Sequence, residues 1–515
     1  MLPATPTPAR LLDSRWLGAA LLATVVVLRT PAFAVGIANI DECDFALFGR
    51  MVEAGAVPYA GVADIKPPLL YVIYHATEAL FGRSFDAIRV LGIGSILATA
   101  LFVRAAARAW TGDDRAGWAA AFLSVLAIVC ESPAVNAEIL MNVPIAAALL
   151  LLVRAERTGR LLLDVAVGAA IGVASLVKHQ AAIAVLALFI AHVLLPGRGP
   201  GWRSLRRVFG LALGFSVPWL AAAAIAASQD WPSFYYWVVT RNLYQASGAR
   251  VSSVGRGVST TALYLAATTL PWWLALRSAA RRRDGVAVAL VVVVALTCVA
   301  VSAGGRFYEH YFLQFAPPLA LLGGPELVVL LERWGEIGRV RRACVVALAV
   351  LPLFASVAYA TARAVRQDFP GQNAKAKAIA EWLRSHTAPD DRVFLWGDYS
   401  VVYCLADRLP GTRYMRTAPL VGDFDPEHLP RSTSVDVFQS ARDIDQALRD
   451  LAANRPAVVV DTSPADLHGW SRFPLSSVAP IARYVHEHYA LVAHPAGAAV
   501  YLRRTAAPEP GAAGP

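Results

Sequence analysis

Over roughly its first 360 residues the chain alternates long apolar runs with short arginine-rich loops, and a mixed polar segment follows from about residue 365. A helix that spans a bilayer needs roughly 20 mostly apolar residues. By that measure the pattern predicts about eleven spanning helices, near residues 12–33, 86–108, 115–132, 138–154, 161–179, 181–196, 205–228, 257–277, 285–303, 311–331 and 340–361. The run at 181–196 is the shortest. Beyond them the periodicity changes. Ala374 to His386 has the spacing of an amphipathic helix, Arg392–Trp396 and Ala457–Val460 read as short strands, and Val478 to Tyr489 reads as a helix. Ala490–His494 and Ala498–Leu502 read as a strand pair joined by Pro495-Ala496-Gly497. The expected architecture is an all-α polytopic membrane domain over 1–362 with a long first outer loop at 34–85. An α/β soluble domain over 363–505 and a disordered Ala/Pro/Gly-rich tail at 506–515 follow.

Charge orients this picture. Arg104, Arg108 and Arg115 fall in one loop, Arg154, Arg157 and Arg160 in the next of the same set. Arg198, Arg203, Arg206 and Arg207, then Arg277 with Arg281–Arg283, then Arg333, Arg339, Arg341 and Arg342 continue it. The alternate loops are poor in Arg and Lys. The positive-inside rule places the arginine loops and the N-terminus in the cytoplasm. An odd number of spans then leaves the C-terminal domain extracytoplasmic, in a multi-pass protein of the cell membrane. Arg10, Arg15 and Ala32-Phe33-Ala34 have the look of a signal peptide, but ten further apolar runs favour an uncleaved first span.

Composition agrees. The 515 residues are 57% hydrophobic and 16% charged, against about 25% charged in soluble globular proteins. The net charge of +10 comes from the loop arginines, so it is a topology signal and names no nucleic-acid partner. Cys43, Cys130, Cys298, Cys344 and Cys404 contain no CxxC pair or zinc spacing. Cys43 and Cys404 belong to the outer, oxidising side, where a disulfide is open to them. Gly168 and Gly172 stand at the GxxxG spacing that lets helices pack closely.

The candidate chemistry collects in the outer loops. The first opens with Asp41-Glu42-Cys43-Asp44. An amphipathic stretch, Phe45 to Ala54, suits a helix lying in the membrane interface. Lys66-Pro67-Pro68 then starts another apolar helix, Leu69 to Phe81. Acids at a helix N-terminus are common as caps, so a solvated loop explains Asp41, Glu42 and Asp44 equally well on composition alone. Glu138, the Lys178-His179-Gln180 interruption and Gly304 to Tyr311 add ionisable groups at membrane depth, where such groups are expensive and by default suggest a site. The plainer reading of each is a side chain snorkelling to the surface. Trp231, Phe234, Tyr235, Tyr236 and Trp237 read as an aromatic belt. Trp396-Gly397-Asp398-Tyr399 reads as a turn after a strand in preference to an acceptor site.

Taken in order, the acidic pair Asp41-Glu42, then Lys66-Pro67-Pro68, then Arg306-Phe307-Tyr308-Glu309-His310-Tyr311 resemble the GT-C membrane glycosyltransferases. They are similar to glycosyltransferase family 39, the protein O-mannosyltransferase and aminoarabinose transferase type, over roughly residues 10–330. The resemblance implies transfer of a sugar from a polyprenyl-phosphate donor to an extracytoplasmic acceptor hydroxyl on a glycolipid, polysaccharide or protein. In its terms Asp41 is the catalytic base, with Glu42 and Glu138 as further catalytic acids. Lys66, Arg306, His310, Tyr311 and Lys178 hold the donor phosphate. His179-Gln180 stands where the family more often has glycine, which leaves the local path at Lys178 open. No metal or other cofactor is implied, and Asp41-x-x-Asp44 is too little to assign one. Asp41, Glu138, Lys66 and Arg306 are expected to converge on one outward-facing cavity. A transporter for a lipid or small solute is the rival class; it predicts internal repeats and charges at the bilayer midplane, and the polar clusters here gather at one face.

Overall fold

The structure is a computed structural model that describes residues 8–129, 133–194, 202–243, 254–366, 372–422 and 439–504. The backbone separates into two compact units. The first comprises Met1–Ala38, Lys66–Trp231 and Ala246–Gln367; the second comprises Asn39–Ile65, Pro232–Gln245 and Asp368–Pro515. Two pieces expected in the membrane domain, one from the first outer loop and one from the aromatic stretch, therefore group with the C-terminal segment.

The first unit is helical. Among the described residues seven helices are long and apolar enough to cross a bilayer: Leu17–Ala34, Phe85–Thr111, Ala137–Thr158, Ser204–Gln229, Gly285–Ser302, Glu309–Glu332 and Arg339–Arg366. The other four expected spans are helical but shorter. The run from 115 forms Asp114–Leu126, and the end of that run, at 130–132, lies outside the described residues. Leu161–Val177 stops where Lys178 adopts an extended backbone, and a 3-10 turn, His179–Ala182, leads into Ile183–Leu194. The run at 257–277 divides into Val254–Ala267 and Thr269–Arg281, because Thr268 leaves helical geometry (φ −111°, ψ 20°). Hydropathy sees an apolar run whether or not its backbone is broken, which is why 257–277 reads as one span; the runs at 115–132 and 181–196 end outside the described residues.

Local chemistry sets several boundaries. Ser84 and Asp284 accept backbone N–H groups at the starts of their helices, and Gly112 and Gly159 close helices in the left-handed conformation that costs glycine little. The GxxxG expectation is met in detail. A Cβ on Gly168 would fall 2.1 Å from the Leu211 carbonyl oxygen, and one on Gly214 would fall 1.9 Å from that of Val165. The helices Leu161–Val177 and Trp202–Gln229 thus touch backbone to backbone, with glycines on both sides of the seam. Acids meet several of the loop arginines within this unit: Arg207 binds Glu156 at 2.7 Å and Asp164 at 3.0 Å, and Arg281 binds Glu326 at 2.9 Å.

The second unit is α/β. A four-stranded sheet has the order β1-β2-β4-β3, with β1 (Val393–Trp396), β2 (Val458–Asp461), β3 (Tyr489–Ala493) and β4 (Ala499–Arg503). β1 and β2 are parallel; β2 with β4 and β4 with β3 are antiparallel. The helices Gln372–His386 and Ala479–His488 form where periodicity placed them, and the tail from 505 lies outside the described residues. β1 and β2 are buried at every position, as continuous apolar strands should be.

The same unit absorbs the outer-loop pieces. Ile40–Glu53 is one helix that includes the acidic pair in its first turn. It is buried from Glu42 through Met51, Arg50 included, and packs on Val401–Ala406. That corrects the expectation of a half-exposed interfacial helix: its polar side chains find partners, as Arg50 does in Asp407 at 3.8 Å. The aromatic belt is corrected at two of its five residues, while Trp231 and Tyr235 stay exposed. Phe234 and Trp237 are buried, Phe234 against Tyr59 at 5.4 Å and Trp237 against Tyr414 at 6.2 Å between ring centres.

Candidate active site

In the first unit, Glu138 lies in the first turn of Ala137–Thr158. Lys178 sits where its own helix has just ended, so its side chain leaves the helical array at the break. The two form a buried ion pair. The Lys178 ammonium also lies 4.3 Å from the centre of the Tyr311 ring, within range of a cation–π attraction. Tyr311 belongs to the 3-10 turn Glu309–Phe315, which follows Gly304, Gly305 and Phe307, all at positive φ. Phe307, at φ 49°, is a bulky residue in a region that suits glycine. His310 packs edge-on to Tyr311 at 4.9 Å and parallel to Tyr308 at 5.5 Å. Asn142, one turn beyond Glu138, donates to the Leu313 carbonyl at 2.9 Å, and Gln180 donates to that of Ala300 at 3.1 Å. Four of the residues named from the sequence, Glu138, Lys178, His310 and Tyr311, thus form one group. Lys66 and Arg306 are half-buried residues of the same unit.

In the second unit, Asn39 caps the helix that begins at Ile40 by accepting the Asp41 N–H at 3.1 Å. Asp41 in that first turn is half-buried, whereas Glu42 and Asp44 are fully buried. Arg416 reaches this turn from the C-terminal segment. Its Nε lies 3.0 Å from the Asp44 carboxylate, and its Nη1 lies 3.7 Å from Asp398. His468 Nδ1 stands 3.4 Å from the other oxygen of Asp398. Asp398 is delivered by the end of β1: Gly397 passes so close to Thr462 that a Cβ there would fall 2.1 Å from its hydroxyl, and Thr417 fixes the turn by donating to the Gly397 carbonyl at 3.0 Å.

The electrostatics of this second group are lopsided. Burial pushes the Asp44 carboxyl up to about 7; Arg416 pulls it down, and Asp64 and Asp41 push it up again. Burial alone would weaken the charge on Arg416, but Asp44, Asp398, Asp41 and Asp64 together hold its pKa well above the ordinary value. Sequence reasoning passed over Arg416, Asp64 and His468, and it read Asp398 as a turn residue. The available signal was an acid, Asp398, placed where a strand ends with a glycine before it. Among the described residues no three His, Cys, Asp or Glu side chains are grouped to hold a metal ion.

Residues 65–228 match the family model described as dolichyl-phosphate-mannose-protein mannosyltransferase. That segment begins one residue before Lys66 and contains Glu138 and Lys178. No curated protein matches the chain by significant sequence similarity. Among solved structures the chain is similar to ArnT from Cupriavidus metallidurans bound to undecaprenyl phosphate, at 15% identity, 96% of this chain, 99% of that one and a TM-score of 0.64. The apo form of the same protein gives 16%, 94%, 97% and 0.62. The archaeal oligosaccharyltransferase AglB from Archaeoglobus fulgidus, in complex with an inhibitory peptide and a dolichol-phosphate, gives 14%, 96%, 76% and 0.52. At such identities the likeness is one of fold. The family segment lies within that shared fold, and the chain has the fold of the GT-C membrane glycosyltransferases, with its residues 65–228 similar to the mannosyltransferase family.

Proposed function

We propose that the protein transfers a sugar from a polyprenyl-phosphate donor to an acceptor hydroxyl on the extracytoplasmic side of the membrane, with inversion at the anomeric carbon. The observation that carries the reading is the buried Glu138–Lys178 pair under Tyr311. It gathers residues that the family resemblance names from three distant parts of the sequence. Glu138 pairs with the Lys178 ammonium in a place where an unpaired charge would be costly. A lipid-linked donor has its phosphate at the membrane surface and its chain in the bilayer, which suits a basic group at the end of a broken membrane helix.

In this reading Asp41 is the general base. Its position in a capped first turn gives a half-buried carboxylate with a fixed backbone. The acceptor oxygen attacks the anomeric carbon, the bond from that carbon to the phosphate oxygen breaks, and Asp41 takes the hydroxyl proton. Lys66, Arg306 and Lys178, with His310 and Tyr311, stabilise the departing polyprenyl phosphate through charge-assisted hydrogen bonds. Glu42 and Asp44 are the rival acids, and both are more deeply buried than Asp41. A carboxylate that meets an acceptor arriving from water needs exposure, which favours Asp41.

The test uses purified protein, radiolabelled polyprenyl-phosphate sugars and single variants Asp41→Asn, Glu42→Gln, Asp44→Asn and Glu138→Gln, each assayed for transfer and for donor binding. Asp41→Asn is expected to bind donor and fail to transfer. Lys66→Ala and Arg306→Ala are expected to weaken donor binding and turnover together, because phosphate contacts act in both ground and transition states. Full transfer by all four acid variants would remove the proposal.

A further inference from the structure

We propose that Cys43 and Cys404 are joined by a disulfide in the mature protein, tying the helix that carries Asp41 to the C-terminal α/β segment. The two residues are 361 positions apart, yet the Cys404 Sγ lies 3.8 Å from the Cys43 carbonyl oxygen. Burial pushes the Cys43 thiol up, and the neighbouring Cys404 thiol adds to that shift. Both belong to the second unit, at the junction where Ile40–Glu53 packs on Val401–Ala406. The Arg50–Asp407 ion pair lies beside them, one residue past the end of the shorter helix. The other described cysteines, Cys298 and Cys344, are exposed on the helices Gly285–Ser302 and Arg339–Arg366 and bear no such relation to each other.

The chemistry balances with a disulfide-bearing oxidant, which an oxidising compartment supplies. Cys404, half-buried where Cys43 is fully buried, is the entry point. Its thiolate attacks the oxidant's disulfide, releasing one thiol and forming a mixed disulfide. Cys43 then attacks the Cys404 sulfur and releases the second thiol. The protein loses two electrons and two protons, and the oxidant is reduced to its dithiol. The bond would close a loop of more than three hundred residues, and in the chain-entropy account the stabilisation grows with loop length. Cys43 stands between Glu42 and Asp44, so the link holds the acidic turn against the segment that supplies Asp398 and Arg416. This inference rests on the reading that the second unit faces the extracytoplasmic side.

The experiment blocks free thiols with N-ethylmaleimide in SDS as cells are lysed, then reduces the full-length protein and counts newly exposed thiols by mass-tagged maleimide. A variant with Cys130, Cys298 and Cys344 changed to Ser is expected to gain two tags after reduction and none before it. Wild-type protein digested without reductant is expected to yield a linked peptide pair containing Cys43 and Cys404. Reductant should lower the unfolding midpoint of the wild type and leave that of the Cys43→Ser/Cys404→Ser double variant unmoved. Both thiols blocked at lysis, with no linked peptide, would overturn the proposal. A reporter fused after residue 504 then identifies the premise at fault. A cytoplasmic reporter shows that the orientation was wrong; an extracytoplasmic reporter with free thiols shows that the disulfide inference itself was wrong.

Discussion

The two groups of ionisable side chains solve the same problem in opposite ways. In the membrane unit, Glu138 and Lys178 are matched one to one, and Tyr311 lies over the ammonium. In the α/β unit, Arg416 faces Asp44, Asp398, Asp41 and Asp64, and burial, with Asp64 and Asp41 adding to it against the pull of Arg416, raises the Asp44 carboxyl to about 7. The first arrangement is neutral, which a low-dielectric interior requires of a persistent buried pair. The second is poised: one of its carboxyls is held near the point of taking up a proton. In the proposed reading, the base that serves an acceptor from water is of the second kind, and the contact for a lipid phosphate is of the first.

Asp41→Asn breaks the comparison most sharply. Loss of general-base help should cost about 10²–10⁴ in transfer rate, with donor binding and the unfolding midpoint close to wild type. Single-turnover assays beside donor-binding titrations check this, and a variant that loses donor affinity instead would move Asp41 out of the base role.

Removing one member of the matched pair comes next. Lys178→Met leaves the Glu138 carboxylate buried and uncompensated, a loss of about 3–5 kcal/mol for a buried pair. Glu138→Leu/Lys178→Met, which removes both charges, should recover most of that. Unfolding midpoints in detergent for the two singles and the double give the coupling energy. A double variant as unstable as Lys178→Met alone would show that the pair is not coupled.

Arg416→Met should be milder in stability, roughly 2–4 kcal/mol, because Arg416 remains partly open to solvent and its acids can take up protons. The same substitution should raise the apparent pKa of the acidic group, since Arg416 is what holds Asp44 down. A pH titration of the unfolding midpoint with the transition unmoved or lowered would sever the link between Arg416 and Asp44.

The most gradual effect, spread over several pH units, is the pH dependence of the wild type. The folded-state pKa of Asp44 is raised from 3.8 to about 7, so between these values the folded state binds more proton than the unfolded. This group's contribution therefore makes the protein more stable as pH falls from above 7 towards 4, by at most about 1.4 kcal/mol per pH unit. The difference between wild type and Asp44→Asn isolates it, and the Asn variant should lose that slope. Parallel pH profiles for the two proteins would rule out a raised pKa at Asp44.

The sequence alone determined the class of molecule. Apolar runs long enough to cross a bilayer, and arginines collected in alternate loops, are properties of composition along the chain, and they survive any detail of packing. The helices and strands of the C-terminal segment were legible for the same reason: their periods of 3.6 and 2 are written in consecutive residues. Gly168 and Gly172 announced a close helix contact, and Glu138, Lys178, His310 and Tyr311 could be named before the fold brought them together. Only the tertiary structure decided that Lys178 ends its helix, that the helix bearing Asp41 is buried, and that Arg416 and Asp398 join the acidic turn. The reason is range. Arg416 lies 372 residues from Asp44, and nothing in either local sequence changes when the other is present. Hydropathy describes each segment's preference for its surroundings; the partner that satisfies a buried charge is fixed by which distant segment packs against it, and that is a property of the folded chain.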